Sequence, residues 1–104
     1  MSSTRDQLTP MGRGSSVETV RLSGEYDLER ADELRRVLVS DTSAQIVRAD
    51  MSEVSFVDSS AIGALVGVQH VLELEGRRLE LTNVRLPPRR VFEIAGLLEH
   101  FGIE

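Results

Sequence analysis

A chain of 104 residues with 40% hydrophobic content has the size and apolar content of one domain built on one core. It contains no cysteine, which excludes disulfides, thiolate catalysis and the usual structural zinc sites. The formal net charge is −5 and the arginines stand in dispersed pairs (Arg35-Arg36, Arg77-Arg78, Arg89-Arg90) beside acidic or apolar neighbours, so the basic surface that a nucleic-acid backbone requires is not expected.

Residues 1–16 are rich in Ser, Thr, Gly and Arg and are expected to form a flexible tail, with at most a weak edge strand. Val17 to Leu22 alternates apolar and polar residues and predicts a strand, which Ser23-Gly24 should close as a turn. From Leu28 to Val39, the residues Leu28, Ala31, Leu34, Val37 and Leu38 recur at helical spacing, with Asp27 placed as N-cap and Glu29 in the first turn. Ile46 to Met51 reads as a short, largely buried strand, and Val54 to Val57 leads into Asp58-Ser59-Ser60.

A second helix is predicted from that turn to about Glu75, where Gly76 ends it. Arg78 to Val84 alternates as a half-buried strand, Pro87-Pro88 stops it, and Arg89 to Leu98 carries a helical pattern interrupted by Gly96. His100 to Ile103 is a candidate final strand. Strands alternating with helices imply an α/β domain over residues 17–104, with a mixed, largely parallel β-sheet of about four to five strands covered by helices.

The second helix carries the most specific signal. Ala61, Ala64, Leu65, Val68, Val71 and Leu72 form one stripe at i, i+3, i+4 spacing, the expected core face. Ser59, Ile62, Gly63, Val66 and His70 form a second stripe, expected to face away from the sheet. Two readings of that stripe stand side by side: Ile62 and Val66 are offered to a partner, or they pack under neighbouring helices. Gly63 and Gly67 each cost roughly 0.8–1.0 kcal/mol relative to alanine, which asks for close approach by the sheet or by a partner.

Asp58 is a good N-cap and leaves Ser59 and Ser60 in the first turn, where the helix dipole favours negative charge. The pair either completes the cap or accepts a phosphoryl group at the edge of the apolar stripe. Other chemistry finds no frame. There is no GxGxxG or GxxxxGKS phosphate loop, no GxSxG elbow, and His70 and His100 lack the spacing of a metal site, so neither an enzyme, a cofactor nor a metal is expected. The uncharged stretch from Val54 to Leu72 is interrupted by Asp58, Ser59, Ser60, Gln69 and His70, and the N-terminus has no apolar h-region. The expectation is therefore a cytoplasmic protein with no membrane span.

The run ADMSEVSFVDSSAIGAL resembles the signature of the STAS-domain anti-sigma factor antagonists, and the resemblance extends to RLSGEYDLERADELR upstream and RRVFEIAGLLEHFGI downstream. It implies a protein whose unphosphorylated form binds an anti-sigma factor that is also a GHKL-type serine kinase, releasing the sigma factor. It also implies that phosphorylation of the first serine, Ser59 here, ends that binding and that a protein phosphatase resets it. The residues carried over to the partner surface are Asp27, Asp58, Ser59 and Ser60, to which the helix face adds Ile62, Gly63 and Val66. Ala61 stands where family members commonly have glycine, and the extra C-terminal helix of some relatives is not expected before Glu104. The alternative function is a constitutive accessory STAS subunit of a transport complex.

Overall fold

The computed structural model describes residues 16–103. Three parallel strands, β1 (Val17–Tyr26), β2 (Ile46–Val57) and β3 (Arg78–Thr82), form one sheet in the order β1-β2-β3. A helical segment between β1 and β2 begins as a 3-10 turn (Leu28–Arg30), continues as helix α1 (Ala31–Arg35) and widens into a π-helical turn (Arg36–Ser40). Helix α2 (Ser59–Leu74) connects β2 to β3, and α3 (Pro88–Ile94) follows β3. Two successive crossovers advancing in one direction place their helices on one face of the sheet when both are right-handed, and α1 does pack against α2.

Strand alternation sets the core. Leu22 on β1, Val47, Ala49 and Met51 on β2, and Leu79 and Leu81 on β3 are buried with Leu34 and Leu38 of the first helical segment and Ala61, Leu65, Val68 and Leu72 of α2. Phe92 of α3 joins them and meets Phe101 edge to face at a centroid distance of 5.6 Å. The opposite set of side chains is polar apart from Val17 and Ile46 at the start of β1 and β2. Arg48 bonds Glu80 at 3.1 Å, while the Asp50 carboxylate accepts the Ser52 amide (3.0 Å), Asn83 Nδ2 (3.1 Å) and Arg21 Nε (3.4 Å). Those donors, the Ser52 amide first, pull the Asp50 pKa down to about 2.

Several expectations are corrected. The described residues form three strands, where about four to five were expected, and every pairing is parallel. The weak edge strand was expected in the tail, and residues 1–15 lie outside the described part. His100 to Ile103 is not a strand, because its amides are used locally: Phe101 N–H bonds Leu97 O, Gly102 N–H bonds Glu99 O and Ile103 N–H bonds Leu98 O. Ser23-Gly24 does not end β1 either. The strand continues to Tyr26, with register shifts against β2 between Arg21 and Ser23 and between Gly24 and Glu25. Helix α3 stops at Ile94, short of the expected Leu98, since Gly96 takes a positive φ of 75° and Leu97 N–H turns back to Phe92 O.

Candidate functional site

The carboxyl ends of β1 and β2 lie side by side, with Tyr26 in register with Val57, and each strand runs directly into an aspartate. Asp27 keeps extended backbone angles (φ −125°, ψ −167°) while its Oδ1 accepts the Glu29 amide at 3.0 Å. Asp58 does the same one strand over (φ −112°, ψ −175°), its Oδ1 accepting the Ala61 amide at 3.0 Å. Asp58 N–H also donates to Tyr26 O at 3.2 Å, tying the second turn to the end of the first strand. Both aspartates are N-caps, and together they stand at the carboxyl ends of two neighbouring parallel strands.

Arg30 holds the first turn in place. Its Nη1 donates to the carbonyls of Ser23 and Glu25, both at 3.0 Å, and its Nε and Nη2 form a fork on Glu33 at 3.0 and 2.9 Å. The guanidinium also lies 4.0 Å from the centroid of the Tyr26 ring. Bonding to Glu33 is the main reason the Arg30 pKa is raised and the Glu33 pKa lowered. Gly24 permits this arrangement, because its φ is +86° and a Cβ there would stand 3.3 Å from Arg30 Nη1.

Ser59 is the first residue of α2 and is exposed, while Ser60 beside it is half-buried. Their amides belong to the first turn and have no intrahelical acceptor, so they present donors where the helix dipole is positive. Ala61 is fully buried, so the departure from the commoner glycine adds no exposed bulk next to Ser59. Gly63 lies one turn further on, exposed, and a Cβ there would find no atom of the described residues within 4 Å beyond its own stretch of helix; the same holds for Gly67. Packing within the described chain therefore does not demand either glycine, which removes the sheet from the two reasons offered by the sequence.

The structure thus brings Asp27, Asp58, Ser59, Ser60 and Gly63 to one end of the domain, but it redraws the outer face of α2. Ile62, expected to face outward, is only 7% exposed and belongs to the core cluster. Val66 is half-buried against that cluster. Val71, expected in the core stripe, is 39% exposed. Arg35, Val39 and Ser40 of the first helical segment stand beside Gly67, Val68 and Val71 on one flank of α2, while on the other Gln69 Nε2 donates to His100 O at 3.5 Å, so the exposed residues of α2 are Ser59, Gly63, Gly67, His70, Val71, Glu73 and Leu74. Leu28 departs in the same direction as Val71: expected on the apolar face of the first helix, it is 73% exposed.

A family model described as STAS domain matches residues 14–104. The chain belongs to the STAS-domain family that includes the anti-sigma factor antagonists. It is 34% identical over 86 residues to the anti-sigma-B factor antagonist of Bacillus subtilis, covering 81% of this chain and 78% of that protein. The phosphorylated form of the Bacillus cell fate determinant SpoIIAA superposes with a TM-score of 0.61 at 28% identity, covering 88% of this chain and 83% of that one. A sulfate transporter family protein from Wolinella succinogenes gives a TM-score of 0.71 at 25% identity, covering 94% and 78% of the two chains. In this STAS domain, then, the paired Asp caps and the exposed serine occupy one edge of a fold shared by regulators and transporter-related proteins.

Proposed function

We propose that this chain is an anti-sigma factor antagonist whose unphosphorylated form binds an anti-sigma factor with GHKL-type serine kinase activity and releases the sigma factor. Ser59 is the switch. The γ-phosphoryl group of ATP passes from the kinase to Ser59 Oγ, ADP leaves, and the modified chain no longer binds; a protein phosphatase returns it to the binding form. The chain acts as a cytoplasmic binding module and not as an enzyme. Among the described residues, no helix is long and apolar enough to cross a membrane.

The observation that carries this reading is the exposed Ser59 hydroxyl at the start of α2, behind an Asp58 side chain already committed to the Ala61 amide. A phosphate there meets unused first-turn donors, so the helix tolerates it. A partner seated over Asp27, Asp58, Ser59, Ser60 and Gly63, with Val66 at its margin and Ile62 supporting from beneath, does not. It would have to bury a dianion of roughly −1.5 to −2 charge in the contact. The resemblance to an anti-sigma-B factor antagonist and to SpoIIAA in its phosphorylated form supports the same reading.

The test is incubation of the chain with ATP and each kinase-type anti-sigma factor encoded with it, followed by intact mass and site mapping. One phosphoryl group on Ser59, absent from Ser59→Ala, is the expected result. Modification confined to Ser60, or none with any of the kinases, overturns the proposal. The likeness to a sulfate transporter family protein favours a second reading, an accessory subunit that docks constitutively on a transport complex. In that case Ser59→Ala and Ser59→Glu would bind their partner equally well.

A further inference from the structure

We infer that Leu28 is an apolar anchor of the same surface, entering a recess on the partner that is rimmed by arginine or lysine side chains. The inference rests on the antagonist reading and adds to it the chemistry of the partner's face. Leucine at 73% exposure follows Asp27 directly, in a turn that packs against α2. Its backbone is held on both sides: the Asp27 side chain takes the Glu29 amide, Asp27 O takes the Arg30 amide at 3.1 Å, and Arg30 ties the turn to the Ser23 and Glu25 carbonyls. A rigidly presented leucine loses little conformational freedom on docking, which is the property of a binding anchor.

The charge around it indicates what it docks into. Glu25, Asp27, Glu29 and Asp58 surround the two turns, and among the described residues none of the four forms an ion pair, whereas Asp32 and Glu33 are matched by Arg35 and Arg30. An apolar side chain set among unmatched carboxylates is complementary to an apolar recess with a cationic rim. The rim belongs to the Glu25–Glu29 side, leaving the Ser59–Gly63 side for close approach, which a phosphoryl group blocks. Leu74 provides the contrast. It is equally exposed, at 75%, but stands at the last turn of α2, about 22 Å along the helix from Ser59 at 1.5 Å per residue.

Titration calorimetry of the full chain against the purified kinase-type anti-sigma factor that phosphorylates it compares wild type, Leu28→Asp and Leu74→Asp. Leu28→Asp should weaken binding by about thirtyfold or more and Leu74→Asp by less than about twofold. Thermal melts of both variants should stay near wild type; if Leu28→Asp melts early, Leu28→Ala replaces it, with about a tenfold loss expected. Wild-type affinity should also fall as salt rises from about 50 to about 500 mM. Equal effects of the two substitutions, or affinity indifferent to salt, overturn the inference and leave the antagonist reading standing. A wild-type chain that binds none of the anti-sigma factors overturns both.

Discussion

The turns after β1 and β2 use the same backbone device for different ends. Asp27 and Asp58 have nearly the same dihedral angles and each accepts an amide within the next three residues. The elements behind them differ: three residues of 3-10 helix, a short α1 and a π-helical turn after Asp27, against sixteen uninterrupted helical residues after Asp58. The long helix aligns its peptide dipoles on Ser59, so the second turn is suited to receive negative charge. Behind the first turn the helix changes type twice, and there the side chains of Arg30 and Glu33 do the fixing while Leu28 is put on display. A cap, in other words, marks where a turn is held, and the element behind it decides what the turn can bind.

The difference can be broken most severely at Gly24. Placing a β-carbon where φ is +86° costs about 1–2 kcal/mol for a left-handed non-glycine residue. Gly24→Ala should therefore lower the denaturation midpoint, and amide shifts should gather around residues 23–33, leaving the Asp58 turn in place. Uniform shifts across both turns would mean that Arg30 does not fix the first one independently.

Removing the caps themselves should have unequal consequences. Asp58→Ala strips the N-terminus of a long helix and should cost about 1 kcal/mol in chemical denaturation. Asp27→Ala should cost less than about half of that, because Arg30 still ties the turn to Ser23 and Glu25. Equal losses would show that the two caps are energetically the same and that the Arg30 clamp adds nothing.

The effect expected at Gly63 has the opposite sign. No side chain or other element among the described residues lies where its side chain would go, so Gly63→Ala should raise stability by up to about 0.8–1.0 kcal/mol through helix propensity alone. If the surface beside Ser59 receives a partner closely, the same variant should bind the anti-sigma factor more weakly. A protein that is both more stable and equally competent in binding would remove Gly63 from the interface.

Much of this site was legible because its parts are local. An aspartate before an apolar helical run caps it through hydrogen bonds that span three residues, so Asp27, Asp58 and the position of Ser59 can be read with the tertiary structure left aside. The alternation of β2 and β3 likewise identifies Val47, Ala49, Leu79 and Leu81 as inward-facing. Helix α2 was harder, since apolar residues occur on nearly every side and periodicity alone then leaves the choice of outer face open.

That choice was made by the neighbours. Packing of other elements on both flanks of α2 leaves Ile62 buried, Val66 half-buried and Val71 39% exposed, a distribution that no local hydrogen bond prescribes. Ser23-Gly24 reads as a strand end because glycine favours turns, yet pairing with the twelve-residue β2 draws the chain onward to Tyr26. Where strands and helices begin, which aspartates cap and which serine stands first on the helix are written in the order of the residues, because those features are interactions within about four positions. Which side of α2 meets solvent, where β1 ends and that Leu28 is exposed near the start of α2 belong to the folded molecule, because they depend on surfaces brought together from distant parts of the chain.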